Sequence, residues 1–385
     1  MSAPLRILAL NWRGLSHPQA GGSEINIFQQ ARRWVKQGHT VTIICADPGR
    51  EYAPVQEEVV DGITVRCMGN RVTVYLLALL FYWRHRRSFD RIVDVANGIP
   101  FFTPLLAAAP GVLLVHHVHG QQWFTEFPYP IAALGWFLER RVVPVVYRHW
   151  PVIAVSPTTR DALLELGFSA SHVSIVYNGV DLPAQAPAVQ RDGGHRIAYV
   201  GRIKRYKRLE RLVAAVADLR QTIPDVHLDL AGDGDARLEI QEQVEKLHLQ
   251  DHVSIHGYVD EVKKAEILSL ATVFATPSLQ EGWGLSVIEA NAFGCPAVAF
   301  DVPGLCVAIR DGETGLLARD EAAFKAALET ILSDPSTRSR LSEGARAWAT
   351  KFDWEFCALE TLRVLAKWDQ SELDYAESQP LVAGE

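Results

Sequence analysis

At 385 residues the chain is too long for one ordinary domain and comfortable for two of about 190. With 48% apolar and 22% charged residues it has a globular composition, which excludes a disordered chain. The net charge of −7 argues against general nucleic-acid binding, but it is unevenly divided: residues 1–190 carry +3 and residues 191–385 carry −10.

From the N-terminus, MSAPLRILALNW lacks the basic and apolar regions of a secretory signal and reads as a first buried strand, 5–11. A Gly-rich turn, AGGSE (20–24), leads into a helix over 25–37 whose Ile27, Phe28, Ala31, Trp34 and Val35 share one face. A second strand follows at 39–46. This strand, glycine turn, helix, strand unit points to a parallel, doubly wound sheet. Gly21 and Gly22 let the backbone approach a ligand without Cβ clashes.

The longest apolar run, Val72 to Trp83, has twelve residues and ends in Arg84, His85, Arg86 and Arg87, too short to span a bilayer. Together with 128–150, which holds Trp136, Arg140, Arg141 and Arg148, the stretch 72–87 reads in two ways. One is core helices of the first domain; the other is a surface that lies peripherally on a membrane. Further strands fall at 91–97, 112–117 and 152–156, and VLLVHHVHGQQW (112–123) sets three histidines at a buried strand end. Alternation puts His116 and His117 on opposite faces, and HHxH at one strand end is poor zinc geometry.

VDLPAQAPAVQRDGGH (180–195) has linker composition, and the strand–helix theme then restarts. Strands are predicted at 196–202, 226–234, 252–259, 273–278 and 296–301, with helices over 209–221 and from about Ser286. VGRIKRYK (200–207) brings Arg202 and Lys207 to a strand end, where two cations can grip a diphosphate and offset charge on a leaving nucleotide. Lys204 and Arg205 enlarge that basic cluster. In TPSLQEGWGLSVIEANAFG (276–294), Glu281 lies in the loop before a helix and Glu289 about one turn inside it. Free N–H groups at Gly284, Leu285 and Ser286 would favour an anion, with carboxylates on either side to take hydroxyls.

The E-x7-E element in its EGWGLSVIEA context, with the Arg/Lys pair, resembles the retaining glycosyltransferases of family 4, and the resemblance covers nearly the whole chain. It implies a GT-B fold, two Rossmann-like parallel-sheet domains facing a cleft, at 1–185 (acceptor side) and 186–355 (nucleotide-sugar side). A tail helix, 356–385, returns toward the first domain. It implies that Glu281 contacts the donor hexose, Glu289 the ribose, and His116 the transferred sugar. Gly21 and Gly22 would approach the donor phosphates, and Tyr258 of GYV (257–259) the base. Members commonly have Phe at Trp283 and Gly at Arg208. NGVD (178–181), AGDG (231–234) and KFDW (351–354) fit the same pattern.

The function expected is retaining, metal-independent transfer of a hexose from a nucleoside diphosphate sugar to a sugar or lipid-linked acceptor. No cofactor or metal is expected. Its place would be the cytoplasm, which five scattered cysteines outside any CxxC suit, or the inner face of the membrane. A sugar-nucleotide epimerase or phosphorylase of the same fold is the alternative. A NAD-dependent dehydrogenase lacks its GxGxxG after the first strand, and a catalytically inert binding subunit would not need the intact charged residues.

Overall fold

The computed structural model describes residues 3–15, 17, 20–46, 56–106, 108–183, 194–279 and 281–378. The chain forms two compact units, Met1–Gly179 with Trp354–Glu385, and Val180–Asp353. The sequence-based borders at 185 and 355 fall slightly later than these. Residues 184–193 of the expected linker lie outside the described residues.

The first unit begins with β1 (Arg6–Arg13), α1 (Gly22–Lys36), β2 (Thr40–Ala46), β3 (Gln56–Val60), β4 (Ile63–Cys67) and α2 (Val74–His85). It continues through β5 (Arg91–Ala96), β6 (Gly111–Val115), α3 (Trp123–Glu126), α4 (Tyr129–Phe137), α5 (Val143–Val146), β7 (Val152–Ala154), α6 (Pro157–Glu165) and β8 (Val173–Ile175). Its eight-stranded sheet runs β3-β4-β2-β1-β5-β6-β7-β8. Every pairing is parallel except β3 with β4, a hairpin absent from the sequence-based expectation. Ile7, Leu8, Ala9 and Leu10 are all buried, as a strand covered on both faces requires.

Helices cover the two faces of this sheet differently. Leu8, Leu10, Ile92 and Leu113 pack in one core with Val74, Ala78 and Tyr82 of α2 and with Val143 and Tyr147. On the other side, α1 is in turn covered by the C-terminal helix α14 (Trp354–Ser378), whose Ala358 carbonyl accepts from the Trp34 indole N–H at 3.0 Å. Cys45 and Cys67, distant in sequence, are register partners on β2 and β4, with Sγ atoms 3.5 Å apart and no disulfide between them.

The second unit contains β9 (Arg196–Val200), α7 (Leu209–Leu219), β10 (His227–Ala231), α8 (Arg237–Lys246), β11 (Val253–Gly257), α9 (Glu261–Leu270) and β12 (Val273–Thr276). Then come α10 (Leu285–Ala292), β13 (Ala297–Phe300), α11 (Leu305–Ala308), β14 (Gly315–Ala318), α12 (Glu321–Ser333) and α13 (Pro335–Ala349). Its six strands, β11-β10-β9-β12-β13-β14, are all parallel. Strand order reverses between β9 and β12. In open parallel sheets, ligands bind beyond the strand C-terminal ends at such a reversal.

Candidate functional site

The loops leaving β9 and β12, neighbours at that reversal, carry the Arg/Lys pair and the first carboxylate. Buried Tyr199 of β9 donates its hydroxyl to the Arg202 carbonyl at 2.9 Å, which fixes the start of the loop. A short 3-10 turn, Arg205–Lys207, then brings Lys207 back toward the sheet. The Tyr206 carbonyl accepts from the Leu279 N–H at 3.0 Å, joining this turn to the loop after β12. The result is a direct ion pair between Lys207 Nζ and Glu281 Oε1, both half-buried. The exposed Arg202 guanidinium donates to the Tyr206 hydroxyl at 3.3 Å, so both cations flank one tyrosine.

The other two cations of VGRIKRYK do not join them. Lys204 pairs with Asp235 at 2.7 Å, and Arg205 pairs with Glu239 of α8. The enlarged basic cluster expected from sequence is therefore corrected: local acids from the next β–α unit answer two of its charges. Arg208 takes up a left-handed conformation, φ +55°, at the position where family members commonly have Gly.

Glu281 is held from behind by backbone. Its N–H donates to the Pro303 carbonyl at 3.1 Å, and a Cβ on Gly304 would stand 2.0 Å from the Glu281 carbonyl oxygen. Only glycine fits there. Gly284, φ +82°, then turns the chain into α10, which starts one residue earlier than the expected Ser286. A left-handed start is strained for any residue with a Cβ. No acidic side chain sits in the first turn of α10 and no side chain caps it. Val287 N–H already bonds the Gly284 carbonyl at 2.9 Å, while helix geometry leaves the Leu285 and Ser286 N–H groups without an acceptor in the preceding turn. That is an anion-favouring pole.

One turn inside α10, Glu289 accepts from Lys264 of α9 at 2.8 Å, and Lys264 also reaches Glu261 at 2.7 Å. Burial alone would pull the Lys264 ammonium down, but Glu289 and Glu261 hold it above its ordinary range. Burial pushes Glu289 up, against the pull of Lys264. Lys264 went unnoticed in the sequence because nothing in EVKKAEIL distinguishes it from a solvated helix lysine. Trp283 is buried and packs edge-on against Phe352 with centroids 4.8 Å apart, so it supports the loop from within the unit. Tyr258, after β11, is 82% exposed.

The remaining candidates belong to the first unit. His116 follows β6 and is buried; burial first, and His117 second, lower it to about 3, so the ring is neutral at physiological pH. Its carbonyl accepts from the Thr159 hydroxyl at 3.2 Å, and its Nε2 has no partner among the described residues. His117 turns the other way and stacks on His119 at 4.2 Å, which stacks on Trp123 at 4.9 Å. A residue that sequence reasoning missed, Glu139, pins this loop. It sits on a π-helical turn, Leu138–Val142, and accepts from the N–H groups of His119 (2.7 Å) and Gly120 (2.8 Å) and from Trp123 Nε1 (3.2 Å).

Gly21 and Gly22 open α1, but the Gly21 N–H donates to the buried Glu24 carboxylate at 2.7 Å. Of the glycine pair whose backbone was expected to approach the phosphates, Gly21 has its N–H committed to Glu24. Among the described residues, no group of three or more His, Cys, Asp or Glu gathers as a metal centre.

Comparisons with known proteins place these two parallel-sheet units among glycosyltransferases of the GT-B fold. Residues 20–183 match the model described as Glycosyltransferase Family 4, and residues 185–348 the model of Glycosyl transferases group 1. The chain belongs to the group 1, family 4 glycosyltransferases.

A glycogen synthase of Mycobacterium tuberculosis is 30% identical over 237 residues, 60% of this chain and 57% of that protein. A D-inositol 3-phosphate glycosyltransferase of Arthrobacter is 34% identical over 206 residues, 50% of this chain and 49% of that one. The chain thus spans about half the length of these curated relatives. The solved sucrose-phosphate synthase of Thermosynechococcus elongatus shares the fold with a TM-score of 0.78 and 22% identity, covering 95% of this chain and all of that one. Anabaena HepE in complex with UDP and glucose gives 0.74 and 18%, covering 94% of this chain and all of that one.

Proposed function

We propose that this protein moves a hexose from a nucleoside diphosphate sugar onto an acceptor hydroxyl, with retained anomeric configuration and without a metal ion. The observation that carries the reading is the Lys207–Glu281 ion pair beside the uncapped start of α10. In the reaction, the bond between the anomeric carbon and the diphosphate oxygen breaks, and its electron pair leaves with the phosphate. Arg202, Lys207 and the N–H groups of Leu285 and Ser286 stabilise that growing charge, the part a divalent cation plays elsewhere. The acceptor oxygen bonds to the anomeric carbon from the face the diphosphate departs. Its proton passes to the leaving phosphate oxygen, giving a glycoside and a nucleoside diphosphate.

Glu281, engaged with Lys207, orients donor hydroxyls and is not the nucleophile in this scheme. Glu289 takes the ribose hydroxyls, and the exposed Tyr258 is a platform for the base. In the first unit, the neutral His116 offers Nε2 to a sugar hydroxyl. The acceptor in this reading is a sugar or a lipid-linked acceptor. The cysteines, four of the five buried and none in a disulfide, suit a reducing compartment, and we place the reaction in the cytoplasm. HepE is described with UDP and with UDP-glucose, so a uridine donor is the first to test.

Thermal unfolding with UDP, GDP, ADP and NAD, in EDTA and then with magnesium, tests the reading. It expects a higher melting temperature with one nucleoside diphosphate in EDTA. A rise with NAD alone, or one that needs magnesium, would overturn it.

A further inference from the structure

Twelve of the twenty-one exposed large hydrophobics among the described residues lie between Val72 and Val145, about a fifth of the chain. Chance does not concentrate them so. Along α2, Val74, Ala78 and Tyr82 face the core, while Leu76, Leu80 and Trp83 form the opposite stripe, with exposed Val72 just before the helix; Leu76 is 72% exposed. The continuous helical stretch 129–146 repeats the arrangement. Ala132, Gly135, Glu139 and Val143 point inward, and Ile131, Leu134, Phe137 and Val145 point out, with Leu134 58% exposed. The core-helix expectation for 72–87 and 128–150 therefore holds for only one stripe of each.

These stripes share one layer. Both helical stretches anchor in the same core on the same sheet face, and the Ala108 N–H donates to the Tyr82 hydroxyl at 3.0 Å between them. Leu105, in that connecting segment, is 67% exposed. Charge follows the same plan. Arg71, Arg84 and Arg87 bracket α2, and Arg140, Arg141 and Arg148 lie along the second stretch, all exposed. Residues 71–160 hold nine Arg and four acids. Three of those acids are already engaged: Asp90 with Arg6, Asp94 buried with Tyr147, and Glu139 buried in its own loop. Arg140 also lies over the Trp136 ring at 5.5 Å, an aromatic–cation pair suited to a headgroup region.

We propose that this layer docks the protein on an anionic phospholipid bilayer, lying in the interface without crossing it. No helix among the described residues is long and apolar enough to cross. Apolar area on α2 and 129–146 enters the headgroup–acyl boundary, and the arginines meet lipid phosphates. A second copy of this chain is the poorer occupant. A two-fold interface would set each patch against itself and bring arginines to arginines without acids to answer them.

Flotation of the full chain with vesicles tests this. With phosphatidylglycerol/phosphatidylcholine vesicles, binding should exceed that to phosphatidylcholine alone by about tenfold or more, and fall by a similar factor as NaCl rises from about 0.1 M to about 0.5 M. The triple variants L76S/L80S/W83S and I131S/L134S/F137S should each lose about tenfold. Their thermal response to nucleoside diphosphate should match wild type, which separates this proposal from the catalytic one. Equal binding to neutral and anionic vesicles, or variants that float as wild type does, would overturn it. So would patch-dependent dimers in vesicle-free sedimentation.

Discussion

Helices α1 and α10 both start after a glycine-containing turn that follows a buried parallel strand, yet their first turns reach opposite electrostatic states. At α1 the Glu24 carboxylate folds back onto the Gly21 N–H, and the positive pole is answered from within the helix. At α10 the first turn has no acid, Gly284 holds a left-handed start, and the nearest carboxylate, Glu281, is bound to Lys207. One pole is closed by its own carboxylate and the other is left without one. A glycine turn before a helix therefore does not by itself mark an anion site; what the first turn does with its own carboxylates decides.

The comparison breaks most visibly at the cations. Lys207→Ala and Arg202→Ala should each slow transfer by about 10²- to 10³-fold, as loss of one charge-stabilising donor does elsewhere; steady-state rates with a saturating donor check this. Near-wild-type rates in both would make α10 as inert as α1. Gly284→Ala places a side chain at φ +82° with its Cβ 3.0 Å from that of Ala308, and should cost about 1–2 kcal/mol in denaturant unfolding. Glu289→Gln keeps the shape and removes the charge, so nucleoside diphosphate binding should weaken about tenfold by calorimetry while the melting temperature stays near that of wild type. On the closed side, Glu24→Ala should cost about 1 kcal/mol of stability and leave nucleotide affinity unchanged.

Much of this was legible in the sequence where a single element carries its own signal. Runs such as LRILALN and PAVAFD read as buried strands because parallel strands are apolar on both faces, and β1 and β13 lie there. Arg202, Lys207, Glu281 and Glu289 stood out by spacing, and the fold brings Lys207 to Glu281 across 74 residues. What stayed hidden depends on partners remote in the chain. QEEVV makes an edge strand too polar to announce itself, and only its hairpin with β4 orders it. Lys204 and Arg205 looked like ligand-binding charges because Asp235 and Glu239 lie one β–α unit away. Along Val72–Trp83, nearly every residue is apolar, so no periodicity separates the buried stripe from the exposed one.

The central claim is that α10, with Lys207, holds the diphosphate. The most direct measurement is equilibrium binding of the preferred nucleoside diphosphate in EDTA to wild type, Lys207→Ala and Glu24→Ala. Glu24→Ala should bind as wild type does, and Lys207→Ala about tenfold or more weakly. Equal affinity in all three proteins, or a loss confined to Glu24→Ala, would contradict it.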